Sequence, residues 1–246
     1  MRKQIPNLIT CMNVISGTLA IFLAMYGLLT AAAILILVGM VFDFFDGMTA
    51  RLLHVKSEIG KELDSLADMV SFGVAPAILA YFLIVRELPG GDFLHFATWT
   101  LGQQITAVMP VVIAPFSAYR LAKFSLDVRQ ATSFIGMPTP ANALFWVCLV
   151  FGSYYTPELY MTLFGKPGVL ASSALILSIL LISELPMFSL KISGFGWREN
   201  KIRYCYFICL IISAGIWGKG ILIFIIPLYI LFSVVEALIK ITTSNR

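Results

Sequence analysis

Four aspartates stand in an otherwise apolar part of the chain, and they form two pairs. Asp43 and Asp46 lie three residues apart, and Asp64 and Asp68 lie four apart. Both spacings place two carboxylates on one face of a helix, one turn from each other. A short connection makes two helices antiparallel neighbours, so the two pairs can face each other at a similar depth. Four carboxylates that converge in a low-dielectric region need a counter-charge.

Divalent cations would supply this charge. Carboxylate oxygens are the ligands that Mg²⁺ and Mn²⁺ favour, and four carboxylates could bridge two ions. Two ions held in this way could clamp a diphosphate and stabilise its leaving group. The alternative is that the acids only form ion pairs with nearby cations, namely Arg51, Lys56 and Lys61. Two regular acidic pairs that flank two glycines favour the metal site over this alternative.

Small and basic residues separate the two acidic pairs. Gly47 and Gly60 carry no side chain, so the backbone of a ligand could approach closely there. Ala50 is small and lies one helical turn after Asp46. Arg51 can form a two-pronged contact with phosphate oxygens, which a lysine cannot. This pattern predicts a phosphate-containing ligand.

The composition places these residues in a membrane. The chain has 246 residues, of which 59% are hydrophobic and 12% are charged, whereas soluble domains carry about a quarter charged residues. We predict an all-α integral membrane protein, a polytopic bundle of about eight transmembrane helices, in one domain over residues 1–246 whose last two spans cover 203–240. The eight apolar segments are 8–27, 30–51, 60–85, 103–124, 138–155, 168–189, 203–217 and 220–240.

The positions of the basic residues predict the orientation. With a cytoplasmic N-terminus, 14 of the 17 Lys and Arg residues fall on the cytoplasmic side and 3 on the other. This asymmetry follows the positive-inside rule and puts the acidic pairs at the cytoplasmic side of the cell membrane. The net charge of +4 is then concentrated on one face, which suits anionic lipid headgroups and not nucleic acid.

The spacing as a whole resembles the signature of the CDP-alcohol phosphatidyltransferase family. All of its fixed positions and gaps are present, and those positions are Asp43, Asp46, Gly47, Ala50, Arg51, Gly60, Asp64 and Asp68. The resemblance implies attack by an alcohol on the β-phosphorus of a CDP-linked lipid, with release of CMP. The four aspartates would hold two Mg²⁺ or Mn²⁺ ions, and Asp68 would also accept the proton of the alcohol. The other four positions would line the CDP site, and relatives often form homodimers.

The flanking residues resemble the branch of this family that uses L-serine. The run from Asp64 to Pro76 is similar to that branch, whereas relatives that use glycerol 3-phosphate more often carry Asp-Pro-x-x-Asp-Lys here. Further similar stretches are Asn7–Thr10 with Asn13 and Gly17, Tyr119–Phe124, Phe134–Ala141 and Glu184–Lys191. The resemblance implies CDP-diacylglycerol, L-serine and membrane lipids as partners. Glycerol 3-phosphate or inositol phosphate as acceptor, and an ether-lipid donor, stay open.

Four polar residues are candidates for contact with the acceptor or the lipid phosphate: Ser71, Arg120, Lys123 and Asn142. We hypothesise that Arg120 or Lys123 binds the lipid phosphate or the serine carboxylate, the alternative being that both only anchor a helix end at the interface. Ser71 and Asn142 could bond the acceptor or satisfy contacts between helices. Glu184 is either an interfacial glutamate or a contact for the serine ammonium.

Two other classes of protein use acidic residues in a membrane. An intramembrane prenyltransferase also sets paired aspartates and Mg²⁺ against a lipid diphosphate, but its acidic motifs usually lie far apart, whereas Asp46 and Asp64 are 18 residues apart. A cation transporter would distribute its acids over several spans or repeated halves. The acids here lie on one helix pair, and no internal repeat is apparent.

Overall fold

The computed structural model describes residues 4–55, 57–91, 93–126, 134–188 and 197–244. Lys56, one of the cations in the ion-pair alternative, lies outside these ranges. So do five other basic residues on which the predicted orientation depends: Arg2, Lys3, Arg129, Lys191 and Arg246. The cytoplasmic N-terminus therefore stays a prediction.

The described residues form eleven α-helices and one pair of two-residue strands. The helices are α1 (Gln4–Met25), α2 (Leu29–Leu52), α3 (Glu58–Asp68), α4 (Ala75–Glu87), α5 (Leu101–Val108), α6 (Ile113–Leu126), α7 (Thr139–Tyr155), α8 (Pro157–Phe164), α9 (Pro167–Ile182), α10 (Trp197–Trp217) and α11 (Ile221–Ser244). The strands are β1 (Phe134–Ile135) and β2 (Pro186–Met187), which pair antiparallel. A π-helical turn, Met69–Val74, joins α3 to α4, and 3₁₀ turns cover Phe93–Thr98, Met109–Val112 and Gly218–Gly220.

The helices confirm an all-α, multi-pass membrane protein. Within the described ranges, five helical stretches are long and apolar enough to cross a bilayer, or six if α8 and α9, bent by 72° at their junction, count as one span. The five stretches are Gln4–Met25, Leu29–Leu52, Glu58–Glu87, Leu101–Leu126 and Asn200–Ile239. The total of eight spans stays a prediction. Helix α7, for example, has 17 residues and is not among the stretches long enough to cross a bilayer.

The longest of these stretches is a hairpin of α10 and α11. The rings of Tyr206 and Phe232 lie 6.1 Å apart, although 26 residues of straight helix would separate them by about 39 Å. The Tyr206 hydroxyl also donates a hydrogen bond of 3.3 Å to the Ile225 carbonyl. The chain reverses at Gly218, whose φ of +55° is a conformation that glycine adopts readily. The segments predicted at 203–217 and 220–240 are therefore two antiparallel helices.

The C-terminal boundary predicted for the segment 168–189 is wrong, because α9 ends at Ile182. The backbone of Ser183 is extended, and Pro186 has no N–H with which to continue a helix. Pro186 instead pairs with Ile135 in the short sheet. Glu184 consequently lies in a connection outside the helix.

Helix α1 packs along α2 and against α3 and the π turn. Its buried face is made of small and polar residues, which are Pro6, Thr10, Asn13, Ser16, Gly17, Ala20 and Ala24. Gly17 is required by this packing, because a Cβ there would lie 2.3 Å from Ser71 Oγ and 2.8 Å from Ser71 Cα. Close contact between α1 and the π turn sets the depth of the residues that precede this turn, among them Asp68.

Candidate active site

Three of the four predicted aspartates converge between α2 and α3. Asp43 projects from α2, and Asp64 and Asp68 project from α3, one turn apart. One carboxylate oxygen from each lies within 4.8 Å of the other two, and all three side chains are half-buried. The carboxylates meet although α2 and α3 themselves pack little against each other, because α1 packs against both helices.

The fourth aspartate has a different environment. Asp46 is only 6% exposed, and its Oδ2 accepts a hydrogen bond of 2.6 Å from the Thr10 hydroxyl on α1. Among the described residues, it is not part of the cluster formed by Asp43, Asp64 and Asp68. It lies instead on the wall of an adjacent cavity.

This cavity has a volume of about 630 Å³, which is within the range of small-molecule binding sites. Its lining includes five of the eight signature positions, which are Asp46, Gly47, Ala50, Gly60 and Asp64. The other lining residues come from α1, from the α2–α3 connection and from the start of α3, and they are Pro6, Asn7, Thr10, Val55, Ser57, Glu58 and Lys61. The cavity and the carboxylate cluster are contiguous, because Asp64 belongs to both.

The two signature glycines act differently here. Gly47 faces open space, since no atom lies within 4 Å of where its Cβ would be. Gly60 is packed more tightly, because its Cβ would lie 3.0 Å from Asn7 Oδ1. Its backbone N–H donates to the Ser57 hydroxyl at 3.2 Å, an N-cap that begins α3. Gly47 therefore leaves room in the cavity, and Gly60 lets α1 approach α3.

The cations next to the aspartates do not neutralise them. Arg51 is exposed, and its Nε donates to the Gly47 carbonyl at 3.0 Å. Lys61 Nζ donates to the Ser125 carbonyl at 3.0 Å. Within the ranges that the structure describes, neither forms an ion pair with an aspartate. The contact of Arg51 with a CDP group stays a prediction, since this residue does not belong to the cavity lining.

The donor set fits a divalent metal ion. The ligand atoms offered by Asp43, Asp64 and Asp68 are all carboxylate oxygens, which hard cations prefer. Asp64 Oδ1 is buried and has no hydrogen-bond partner in the described part of the chain. A buried polar atom of this kind is normally satisfied by a ligand or by water. The cluster could therefore hold a metal ion.

The four candidate acceptor residues fall into two groups. Ser71 and Lys123 have protein partners, because Ser71 Oγ donates to the Asn13 carbonyl at 2.9 Å and Lys123 Nζ lies 3.4 Å from Glu184 Oε1. The Glu184 side chain is 69% exposed, as expected of an interfacial glutamate. Arg120 and Asn142 form the other group, since both are buried and keep polar atoms without a hydrogen-bond partner in the described part.

Arg120 has the features expected of a residue that contacts a ligand, since it is a buried cation with a donor that has no partner in the described part of the chain. It is 7% exposed, and its Nε is one of the atoms without a partner. Its guanidinium lies over the ring of Phe124, 5.2 Å from the centroid, and within electrostatic range of Asp68 and Tyr229. In Asn142, which is fully buried, both the amide oxygen and the amide nitrogen lack a partner.

One known protein family matches most of this chain. The sequence profile of the CDP-alcohol phosphatidyltransferase family matches residues 3–182, which include α1 to α9 and both acidic pairs. The chain belongs to the CDP-alcohol phosphatidyltransferase family. Membership in this family favours a phosphatidyltransferase over the intramembrane prenyltransferase and the cation transporter. The chain is therefore a transferase of substituted phosphate groups.

This CDP-alcohol phosphatidyltransferase is similar in sequence to enzymes from bacteria and archaea. It is 39% identical over 158 residues to the CDP-diacylglycerol–serine O-phosphatidyltransferase of Bacillus subtilis, covering 64% of this chain and 80% of the relative. It is 33% identical over 177 residues to the enzyme of that name from Helicobacter pylori, covering 68% and 69%. It is 33% identical over 179 residues to the archaetidylserine synthase of Methanothermobacter thermautotrophicus, covering 71% and 67%.

Residues of α1 also contact the site of this phosphatidyltransferase, although the sequence predicted no role for them. Thr10 reaches Asp46, and Asn13 Nδ2 lies 3.5 Å from Asp68 Oδ1. A signal was present, because Asn7, Thr10 and Asn13 recur every three residues in an apolar helix and so share one face. Polar residues that share a face inside a membrane span point toward protein and not lipid.

Proposed function

We propose that this CDP-alcohol phosphatidyltransferase transfers the phosphatidyl group of CDP-diacylglycerol to L-serine, giving phosphatidylserine and CMP. The observation that carries the proposal is the convergence of Asp43, Asp64 and Asp68 beside a cavity of about 630 Å³ lined by five signature positions. L-Serine as acceptor is supported by the names of the Bacillus subtilis and Helicobacter pylori relatives and by the serine-branch pattern from Asp64 to Pro76.

The aspartates are proposed to hold two divalent ions, Mg²⁺ or Mn²⁺. Asp43, Asp64 and Asp68 offer the converging oxygens, and Asp46 would contribute from the cavity wall. When bound, such ions would neutralise the diphosphate and stabilise the departing CMP. The oxygen-only donor set and the unpartnered Asp64 Oδ1 support this assignment.

The cavity is proposed to bind the CDP group. Gly47 and Ala50 of α2 and Gly60 of α3 line it with little side-chain volume, so the nucleotide and its diphosphate can lie close to the backbone. Arg51, at the end of α2, would reach a phosphate by exchanging its hydrogen bond to the Gly47 carbonyl for a charge-assisted one. The acyl chains would extend toward the lipid phase.

Asp68 is proposed to be the general base. A hydroxyl is a weak nucleophile at neutral pH and needs a positioned base. The serine oxygen forms a bond to the β-phosphorus as its proton moves to the Asp68 carboxylate. The bond between that phosphorus and the oxygen bridging to the α-phosphorus breaks, and CMP leaves with the electron pair.

Arg120 is proposed to bind the serine carboxylate, and Asn142 to hydrogen-bond the acceptor. The unpartnered Nε of Arg120 and its proximity to Asp68 support the first assignment. The unpartnered amide of Asn142 supports the second. Ser71 and Lys123 are weaker candidates, because serine binding would have to displace the Asn13 carbonyl from Ser71 and Glu184 from Lys123.

We also propose that the protein lies in the cell membrane with its site at the cytoplasmic side. The division of 14 against 3 basic residues supports this orientation. A homodimer is proposed on the family resemblance alone, and cross-linking in native membranes followed by mass measurement would test it.

The test of the reaction is release of CMP by the purified protein in mixed micelles. CDP-diacylglycerol and Mn²⁺ or Mg²⁺ are supplied with L-serine, glycerol 3-phosphate, inositol phosphate or no acceptor, and a parallel set uses an ether-linked CDP-lipid. We expect CMP to depend on L-serine, to disappear with EDTA and to return with excess metal. CMP release with glycerol 3-phosphate in place of serine would overturn the acceptor assignment, and activity unaffected by EDTA would overturn the metal assignment.

A further inference from the structure

Polar residues on one face of α1 contact signature residues of α2 and α3. Asn7 Oδ1 fills the space next to Gly60, 3.0 Å from where a Cβ would be. Thr10 bonds Asp46, and Asn13 faces Asp68. Polar residues one turn apart on a single helix thus meet both acidic pairs.

Thr10 orients the carboxylate of Asp46. The Thr10 hydroxyl has a single proton, and two acceptors lie within reach, namely Asp46 Oδ2 at 2.6 Å and the Pro6 carbonyl at 3.1 Å. The shorter, charge-assisted bond to the carboxylate is the stronger one. The bond therefore occupies one lone pair of Oδ2 and holds the Asp46 carboxylate in one orientation at the cavity wall.

Asn13 is held in place on three sides. The residue is fully buried, and its carbonyl accepts the hydrogen bond from Ser71. Its Oδ1 fits against Gly39 of α2, where a Cβ would lie only 2.9 Å away. This leaves Nδ2 directed at Asp68 Oδ1, 3.5 Å away, so Oδ2 of the proposed base is free of this amide.

We propose that Thr10 and Asn13 are positioning residues, which orient Asp46 toward the metal and nucleotide and Asp68 toward the acceptor hydroxyl. This inference rests on the proposed function for the identity of the acceptor, but not for the contacts themselves. Each residue is proposed to act through the aspartate that it contacts. Hydrogen-bond partners of metal-binding side chains commonly change metal affinity or activity about 10- to 100-fold when removed.

The test for Thr10 is the affinity for Mn²⁺ alone, measured by electron paramagnetic resonance on the purified, substrate-free protein. Thr10→Val keeps the shape of the side chain and removes the hydroxyl, so we expect affinity to fall about 10- to 100-fold. Thr10→Ser keeps the hydroxyl and should restore most of it. Thr10→Ala is measured in the same way if Thr10→Val does not fold.

The test for Asn13 is to measure kcat and the KM for CDP-lipid separately in a variant without the amide. Asn13→Leu keeps the approximate shape and removes the amide, so we expect kcat to fall about 10- to 100-fold with the KM for CDP-lipid unchanged. Ser16→Ala is the matched control, since Ser16 lies one turn further along α1 and bonds the Leu35 carbonyl at 2.7 Å. It should lower the melting temperature without changing Mn²⁺ affinity or kcat.

Two outcomes would overturn the inference. One is wild-type Mn²⁺ affinity in Thr10→Val together with wild-type kcat in Asn13→Leu. The other is a loss of binding and activity in all three variants, including Ser16→Ala, in proportion to melting temperature. Failure of the proposed function is distinguishable, because a wild-type protein without serine-dependent CMP release can still lose Mn²⁺ affinity on Thr10→Val.

Discussion

The hydroxyl of Ser71 donates a hydrogen bond of 2.9 Å to the carbonyl of Asn13. This bond joins α1 to the π turn that immediately follows Asp68. Gly17, one turn after Asn13 on the same face of α1, provides the space that Ser71 occupies. Asn13 also faces Asp68, so the contact that joins these elements also sets the position of the proposed base.

Gly17→Ala should destabilise the protein through overpacking. The new Cβ would lie 2.8 Å from Ser71 Cα, and backbone cannot move aside as a flexible side chain can. We expect a loss of about 1–3 kcal/mol in the free energy of unfolding, measured by thermal or denaturant unfolding in detergent. Gly168→Ala is the control, because no atom lies within 4 Å of its Cβ position. Equal stability of the two variants would contradict the close packing of α1.

Gly47→Ala should impair ligand binding without destabilising the protein. Its Cβ would meet no protein atom within 4 Å, but it would project into the cavity proposed to bind CDP. We expect the KM for CDP-diacylglycerol to rise about tenfold, equivalent to about 1.4 kcal/mol, with a melting temperature at or above that of the wild type, because alanine favours a helix more than glycine does. Gly102→Ala, also in open space but outside the cavity lining, should have wild-type kinetics. A wild-type KM in Gly47→Ala would argue against this cavity as the nucleotide site.

Asp68→Asn should abolish turnover while binding of the CDP-lipid largely persists. The amide has nearly the shape of the carboxylate but cannot accept a proton, and loss of a general base lowers kcat by about 10²- to 10⁴-fold. Single-turnover CMP release measures the chemical step, and a binding assay with labelled CDP-lipid measures affinity. Turnover retained at the wild-type rate would remove Asp68 as the base.

Arg120→Ala should raise the KM for L-serine more than that for CDP-diacylglycerol. Hydrogen bonds to charged groups contribute about 1.5–3 kcal/mol, so we expect the KM for serine to rise about 10- to 100-fold. Ethanolamine, which lacks the carboxylate, should inhibit both forms equally weakly. Lys123→Ala is the control, since Lys123 is paired with Glu184. Unchanged KM values for serine and lipid in Arg120→Ala would show that the arginine does not bind either substrate.

Much of the site could be predicted from the sequence because it depends on local spacing. Residues three or four apart share a helix face, so the positions of Asp64 and Asp68 in the chain are sufficient to bring their carboxylates together. The short connection before α3 was sufficient to predict that Asp43 faces them. The apolar composition was likewise sufficient to predict a helical membrane protein, since only helices and closed barrels satisfy their backbone in lipid.

Only the tertiary structure decided how the polar side chains are distributed among partners. Asp46 is 36 positions from Thr10 and Ser71 is 58 from Asn13, and no local periodicity encodes pairs so distant. The sequence offered Arg120 or Lys123 as the anion contact and Ser71 as a possible hydrogen bond to the acceptor, but packing gives Lys123 a carboxylate partner and Ser71 a carbonyl. The sequence by itself determined which residues share a face and that this face is acidic. Packing of α1 against both acidic helices decided which partners Asp46 and Asp68 have, because a hydrogen bond depends on distances of a few ångströms between separate helices.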